Sequence, residues 1–156
     1  MLEIPIHGAP TLRFAHLVAD FNGTLAVDGV LIAGVAEALR TLAAALDIHV
    51  VTADTFGRVK QAMAGVPCTT TILPPAAQDS AKLQYVQRLG AADCVCVGNG
   101  RNDRLMLAAA GLGIAVVQGE GAALETLLAA KVVAPDIGAA LGLLLNPTRL
   151  VATLRL

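Results

Sequence analysis

Leu17-Val18-Ala19-Asp20-Phe21-Asn22-Gly23-Thr24-Leu25 decides how the rest of the chain is read. An apolar run stops at an aspartate, and Asp-Phe-Asn-Gly is good turn chemistry. Taken alone, the stretch is a turn after a buried strand. Three further pieces follow it in order. They are Thr52 after the apolar residues 48–51, Lys82 near the start of a predicted helix, and Gly98-Asn99-Gly100-Arg101-Asn102-Asp103 after residues 94–97. Together they supply a carboxylate able to attack phosphorus, a hydroxyl and an ammonium to hold phosphate, and a second carboxylate to hold a cation.

Outward from that stretch, the pattern alternates. Residues 2–6 and 12–19 read as strands around His7-Gly8-Ala9-Pro10. Residues 25–27 and 30–32 flank Asp28-Gly29, a hairpin signal. Residues 34–46 read as a helix, because Val35, Leu39, Leu42 and Leu46 form one stripe opposite Glu37, Arg40 and Thr41. Strands follow at 48–52, 69–73, 94–97, 112–117 and 131–133. Helices follow at 56–63, 79–88 (capped by Asp79 or Ser80), 103–109, 120–127, 136–144 and 147–154. Continuous apolar strands separated by helices imply an α/β fold, a three-layer doubly wound parallel sheet with a small β-hairpin flap. In such sheets ligands bind beyond the carboxyl ends of the strands. Asp20, Thr52 and Asn99–Asp103 all sit just after strands, so the architecture brings them to one rim.

The 156 residues, 15.9 kDa, form one expected domain, 1–156. Formal net charge is −1 and the pI is about 6.3, with no basic face, which argues against a nucleic-acid or anionic-membrane partner. Apolar residues make up 56%, charged residues 15%, and mean hydropathy is +0.69. So apolar a chain predicts a homo-oligomer. Arg40, Asp47, Asp54, Glu120, Glu125, Lys131 and Asp136 break the apolar stretches, and none reaches the roughly 20 residues of a membrane-spanning helix. Residues 1–5 lack a basic segment followed by an apolar one, so no signal peptide is expected. Three cysteines, an odd count, fit a reducing cytoplasm. Cys94 and Cys96 share one face of a predicted strand. With no histidine nearby in sequence, they read as buried small hydrophobes rather than as a C-x-C metal pair.

Each functional piece has a plainer reading: a turn for Asp20, a helix cap or strand end for Thr52, a solvated helix face for Lys82. Lys60 is a competitor for the phosphate-holding role, but it lies inside a predicted helix rather than at its start. Asp103 offers the oxygen ligand that Mg²⁺ prefers. The glycines of Gly98-Asn99-Gly100 let the backbone turn tightly beside a ligand.

The four pieces resemble the motifs of the haloacid-dehalogenase-like (HAD) superfamily, from about Leu17 to Arg155. Within it they are most similar to the phosphorylation domain of P-type ATPases. Thr52-Ala53-Asp54 is similar to the pumps' Thr-Gly-Asp, and Gly98–Asp103 to their Gly-Asp-Gly-x-Asn-Asp. Residues 108–115 and 131–136 follow the pump pattern as well. The gaps between the motifs have no room for a cap or a nucleotide-binding domain, and no membrane helix is expected. The likeness is therefore to the soluble, capless P-type ATPase-like group, comparable in build to the 2-keto-3-deoxy-octulosonate-8-phosphate phosphatases, whose neighbouring subunits close the site. The resemblance implies a Mg²⁺-dependent phosphohydrolase acting on a small phosphomonoester through an aspartyl-phosphate. Asp20 would be nucleophile and metal ligand, and Asn22 would give a backbone carbonyl to Mg²⁺. Thr52, Ala53 and Lys82 would hold phosphate, and Asn99 and Asp103 would complete the metal shell. Two departures stand out. Asn22 replaces the phosphatases' general acid–base aspartate, and Asn99 replaces the first acidic residue of the last motif. Both admit other outcomes: a catalytically weak regulatory module that binds phosphate or a partner, or a phospho-acceptor domain.

Overall fold

The computed structural model describes residues 1–54 and 57–156. It opens with an antiparallel ribbon, β1 (Leu2–Ile4) against β2 (Leu12–Phe14), with Leu2 opposite Phe14. The strand expected over 12–19 is broken at Ala15. There the chain leaves the ribbon and enters the main sheet as β3 (His16–Asp20). Ala15 is the crossing point: its N–H donates to the Asp93 carbonyl and its own carbonyl accepts from Asp47 N–H, both at 2.9 Å. Next come the hairpin β4 (Ala26–Val27) and β5 (Val30–Leu31) and then α1 (Val35–Leu42). Asp28 and Gly29 turn the hairpin with φ of 52° and 75°, the left-handed pair that a two-residue loop requires. Helix α1 is shorter than the 34–46 stripe suggests, and residues 43–46 finish it as turns bonded back to Leu39, Thr41 and Leu42.

The remaining elements alternate. They are β6 (Asp47–Thr52), α2 (Val59–Ala62), β7 (Thr69–Ile72), α3 (Gln78–Leu89), β8 (Cys94–Gly98), α4 (Arg104–Ala109), β9 (Leu112–Val116), α5 (Leu124–Ala129), β10 (Val132–Ala134), α6 (Ile137–Leu145) and α7 (Pro147–Leu154). Phe56, where a helix was expected to begin, lies outside the described residues. The cap expected at Asp79 or Ser80 falls instead on Ala77, which takes φ of 55°. The Asp79 carboxylate accepts from Ser80 N–H inside the first turn. Helix α5 begins four residues later than the pattern suggests, because the preceding segment is bonded elsewhere: Ala123 N–H donates to the Asn99 carbonyl.

The six long-range strands form one sheet in the order β10-β9-β8-β3-β6-β7, every neighbouring pair parallel. Alternate residues of the apolar strands serve opposite faces. Leu17, Ala19, Val95 and Val97 pack with Leu39 of α1 and Leu141 of α6. Val18, Cys94 and Cys96 pack with Val86 of α3 and Met106 of α4. Fully burying a side chain of Leu or Val size stabilises by about 1.5–3 kcal/mol, so both layers hold the sheet from both sides. From β3 the chain builds outward to β7, then returns to the other side of β3 as β8. The switch point therefore lies between the carboxyl ends of β3 and β8. No single helix among the described residues is long and apolar enough to cross a membrane.

Candidate active site

Asp20 is the last residue of β3, Thr52 of β6, and Gly98 of β8, so three loops leave one edge of the sheet together. Lys82 reaches the same point from the second turn of α3. Although a lysine on a helix ordinarily keeps its head in water, this one is 0% exposed. Its Nζ donates to Asp20 Oδ1 at 2.7 Å and to Asp103 Oδ1 at 2.6 Å. Burial alone would pull the ammonium down, but the charges of Asp20 and Asp103 outweigh it and hold Lys82 above its ordinary range.

Asp103 is also 0% exposed, and its second oxygen, Oδ2, accepts from the N–H of Asn99 (3.0 Å) and Gly100 (2.9 Å). Both of its oxygens are thus engaged by the lysine and the loop. Gly98 is what lets it sit there, since a Cβ at position 98 would overlap the Asp103 side chain. The Asp20 carboxyl is pushed up to about 7, first by burial and second by the charge of Asp103, with Lys82 and Thr24 opposing. Its other oxygen, Oδ2, accepts from the Thr24 hydroxyl at 3.2 Å.

Thr52 Oγ1 accepts from Asp54 N–H at 3.0 Å, and among the described residues its hydroxyl hydrogen meets no acceptor. The Asp54 carboxylate in turn accepts from Arg58 N–H and Val59 N–H at the start of α2. Asn99 is fixed at both ends of its amide. Its Nδ2 donates to the Gly121 carbonyl at 2.9 Å, and its Oδ1 accepts from Thr24 Oγ1 at 3.2 Å. Since a carbonyl can only accept, the Gly121 oxygen decides which way the amide points. Among the described residues, Asn22 Oδ1 is buried without a hydrogen-bond partner. An orphaned buried acceptor is costly unless a ligand or water meets it.

These groups surround a pocket of about 210 Å³ lined by Asp20, Asn22, Thr52, Ala53, Gln78, Asn99, Gly100 and Asn102. Of the residues singled out in the sequence, Asp20, Asn22, Thr52, Ala53, Asn99 and Gly100 line it, while Lys82 and Asp103 stand outside its lining, Lys82 bonded to both Asp20 and Asp103. Gln78, Asn102 and Thr24 were not singled out. Gln78 Oε1 accepts from Asn102 Nδ2 at 2.9 Å, joining two of the residues that line the pocket. Thr24 lay inside the quoted stretch, and only its single hydrogen between Asp20 and Asn99 reveals its use. Gln118 and Thr126 support the site from outside. Gln118 Nε2 donates to the carbonyls of Gly23 (3.0 Å) and Thr24 (2.6 Å), and Thr126 Oγ1 donates to the Gly100 carbonyl (2.7 Å).

The fold recurs in solved structures. The 3-deoxy-D-manno-octulosonate 8-phosphate phosphatase of Moraxella catarrhalis, solved with magnesium, phosphate and KDO, aligns with a TM-score of 0.72 over 92% of this chain and 95% of that one, at 15% identity. A protein of Legionella pneumophila assigned to HAD superfamily subfamily III A aligns with a TM-score of 0.71 over 91% and 89%, at 19% identity. This chain has the HAD-like fold. The cobalt-bound deoxy-D-mannose-octulosonate 8-phosphate phosphatase of Haemophilus influenzae shares that HAD-like fold, with a TM-score of 0.71 over 91% and 93% at 13% identity. In sequence, 61 residues are 51% identical to an uncharacterized protein of Methanocaldococcus jannaschii, covering 39% of this chain and 66% of that protein. No family model matches the chain.

Proposed function

We propose that this chain is a HAD-superfamily phosphohydrolase that acts on a small phosphomonoester through Asp20 and depends on Mg²⁺. One observation carries the reading: the buried Lys82 ammonium ties Asp20 to Asp103 directly beside a pocket into which Thr52 has a hydroxyl hydrogen to donate. The names of the solved phosphatases with the same fold support the reaction class, and the magnesium and phosphate held by the Moraxella enzyme support the cofactor.

The donor set fits a hard cation. Every side chain lining the pocket that could ligate does so through oxygen, and none is a thiolate or an imidazole. Asp20, the main-chain carbonyl of Asn22 and the Asn99 amide oxygen would hold Mg²⁺, while Asp103 adds negative charge from outside the lining. Bound there, the cation supplies positive charge against the phosphoryl oxygens. Thr52 and the main chain at Ala53 hold and orient the phosphoryl group, and Lys82 screens the carboxylate as it approaches phosphorus. Asp20 Oδ forms the bond to phosphorus as the ester P–O bond breaks, and the leaving alkoxide takes a proton from solvent. Water then attacks phosphorus, releasing phosphate and restoring the carboxylate. An amide at position 22 can neither donate that first proton as an acid nor accept one from the attacking water. The second half-reaction is therefore slow and the aspartyl-phosphate accumulates. That amide also favours the second reading, a phosphate-holding regulatory or phospho-acceptor module.

The chain fits the capless, P-type ATPase-like group, and its exposed hairpin residue Val30, 63% exposed, fits a homo-oligomer in which a neighbour covers the open pocket. The test is hydrolysis of an aryl phosphate with and without Mg²⁺ by the wild type and by Asp20→Asn. Mg²⁺-dependent turnover that Asp20→Asn abolishes is expected. A mass increase of one phosphoryl group from acetyl phosphate with no turnover would favour the phospho-acceptor.

A further inference from the structure

We infer that this protein takes its divalent cation together with a phosphoryl group and not ahead of it, because position 99 is built to hold a neutral amide. The inference rests on the proposed Mg²⁺-dependent phosphohydrolase.

The pocket is short of charge. Among the described residues Asp20 is the one carboxylate that lines it, and its Oδ1 already accepts from the Lys82 ammonium. Asn22, Gln78, Asn99 and Asn102 contribute amides. The second carboxylate, Asp103, has one oxygen on Lys82 and the other on two main-chain N–H groups. Among the described residues no group of three or more His, Cys, Asp or Glu is placed to hold a metal. Mg²⁺ gives up its water reluctantly and is held by one or two carboxylates together with substrate phosphate oxygens. Here the single lining carboxylate is partly neutralised, so the phosphoryl oxygens must bring the missing charge.

The shortage is enforced by the fold. A carboxylate at position 99 would set an oxygen against the Gly121 carbonyl, where the Asn99 Nδ2 now donates at 2.9 Å. The carbonyl cannot easily withdraw. Gly121 N–H is bonded to the Gln118 carbonyl, and Ala123 N–H to the Asn99 carbonyl. The Gln118 side chain is held at three points, donating to the Gly23 and Thr24 carbonyls and accepting from Ile137 N–H. Gly23 boxes in both ends of the Asn99 amide, since a Cβ there would come within 2.6 Å of Nδ2 and 2.8 Å of Oδ1. The loop thus reads position 99 as a donor on one end and presents a neutral oxygen to the pocket on the other.

Coupling between two ligands is reciprocal: phosphate raises Mg²⁺ affinity by the same factor that Mg²⁺ raises phosphate affinity. Titration calorimetry of Mg²⁺ into metal-free protein, with and without saturating inorganic phosphate, measures that factor. The reverse titration checks it. The expected result is weak binding of Mg²⁺ alone and an increase of about tenfold or more with phosphate. Asn99→Asp is expected to melt at a lower temperature without metal, since Gly121 then faces an oxygen. It is also expected to bind Mg²⁺ alone more tightly, with the phosphate factor falling toward one. If that variant does not fold, Asn22→Asp adds a carboxylate to the same pocket away from Gly121 and should lower the factor in the same direction. Wild-type protein that binds Mg²⁺ equally well with and without phosphate would overturn this inference and leave the phosphohydrolase standing. Absence of Mg²⁺ binding under both conditions would overturn both.

Discussion

Lys82→Met removes the ammonium from between Asp20 and Asp103 while keeping most of the apolar stem. Two charge-assisted bonds, 2.7 Å to Asp20 and 2.6 Å to Asp103, are lost from a side chain that is 0% exposed, and two carboxylates are left behind in the interior. Breaking a buried ion pair by deleting one partner costs about 3–5 kcal/mol. For a chain of 156 residues each kcal/mol moves the melting temperature by about 2–4 °C, so the variant should melt about 6–20 °C lower at pH 8. The loss should depend on pH in a defined sense. Even with Lys82 present, the Asp20 carboxyl is raised from 3.8 to about 7, by burial first and by Asp103 second. Its contribution to stability is therefore full below 3.8 and is lost as pH rises through about 7. Without the ammonium the same rise costs more, because the charged form has lost its partner. Urea unfolding at pH 5 and pH 8 would show a deficit that grows with pH. A deficit below about 1 kcal/mol at pH 8, or one equal at both pH values, would refute the account of Lys82 as the buried counter-charge of the site.

Other changes probe separate features. Asn22→Asp places a proton donor and acceptor where a buried amide oxygen has no partner among the described residues, and should raise turnover of an aryl phosphate by about 10²–10⁴-fold. An unchanged rate with metal still bound would shift the reading to the regulatory module. Gly98→Ala should destabilise by about 1–3 kcal/mol, because the new methyl overlaps the Asp103 side chain; Gly100→Ala, whose methyl is crowded by the movable Asn102 amide at 3.0 Å and meets Asp103 at an ordinary 3.6 Å, should cost less in the same melt. His49 is held below its ordinary 6.5, by burial first and by His16 second. The stability it gives by staying neutral is full above pH 6.5 and is lost as pH falls. His49→Gln should flatten the fall in unfolding free energy between pH 7 and pH 5.

The sheet was legible because its strands are short apolar runs bounded by turn residues, and the strand-end rule carried Asp20, Thr52 and the 98–103 loop to one edge before any contact was known. What stayed hidden was set by partners distant in sequence. Residues 12–19 read as one strand, because nothing local marks Ala15 as the point where the chain bonds to Asp93 and Asp47. Residues 120–123 read as helix, because their pattern does not show that Ala123 and Gly121 are bonded to Asn99. Gln118 acts on Gly23 across 95 residues and carries no signal of its own. Lys82 had the residue type and position of a solvated helix face, and only packing shows it buried. For Asp103 the sequence supplies a carboxylate but not the direction of its oxygens, which are turned to Lys82 and the loop N–H groups.

The N–H groups of Gly23 and Gly100 have one more consequence. Asn22-Gly23 and Asn99-Gly100 are the kind of dipeptide in which asparagine ages fastest. The glycine nitrogen attacks the side-chain carbonyl carbon, ammonia leaves, and water opens the resulting succinimide to aspartate or isoaspartate. In the folded chain both nitrogens are occupied, Gly23 N–H on the Ala26 carbonyl at 2.7 Å and Gly100 N–H on Asp103 Oδ2 at 2.9 Å. Folding thus shields the two asparagines from their own backbone, and unfolding exposes them. Heated or denatured stocks would gain carboxylates at positions 22 and 99, and under the proposed phosphohydrolase reading the turnover of a preparation would become a record of its history.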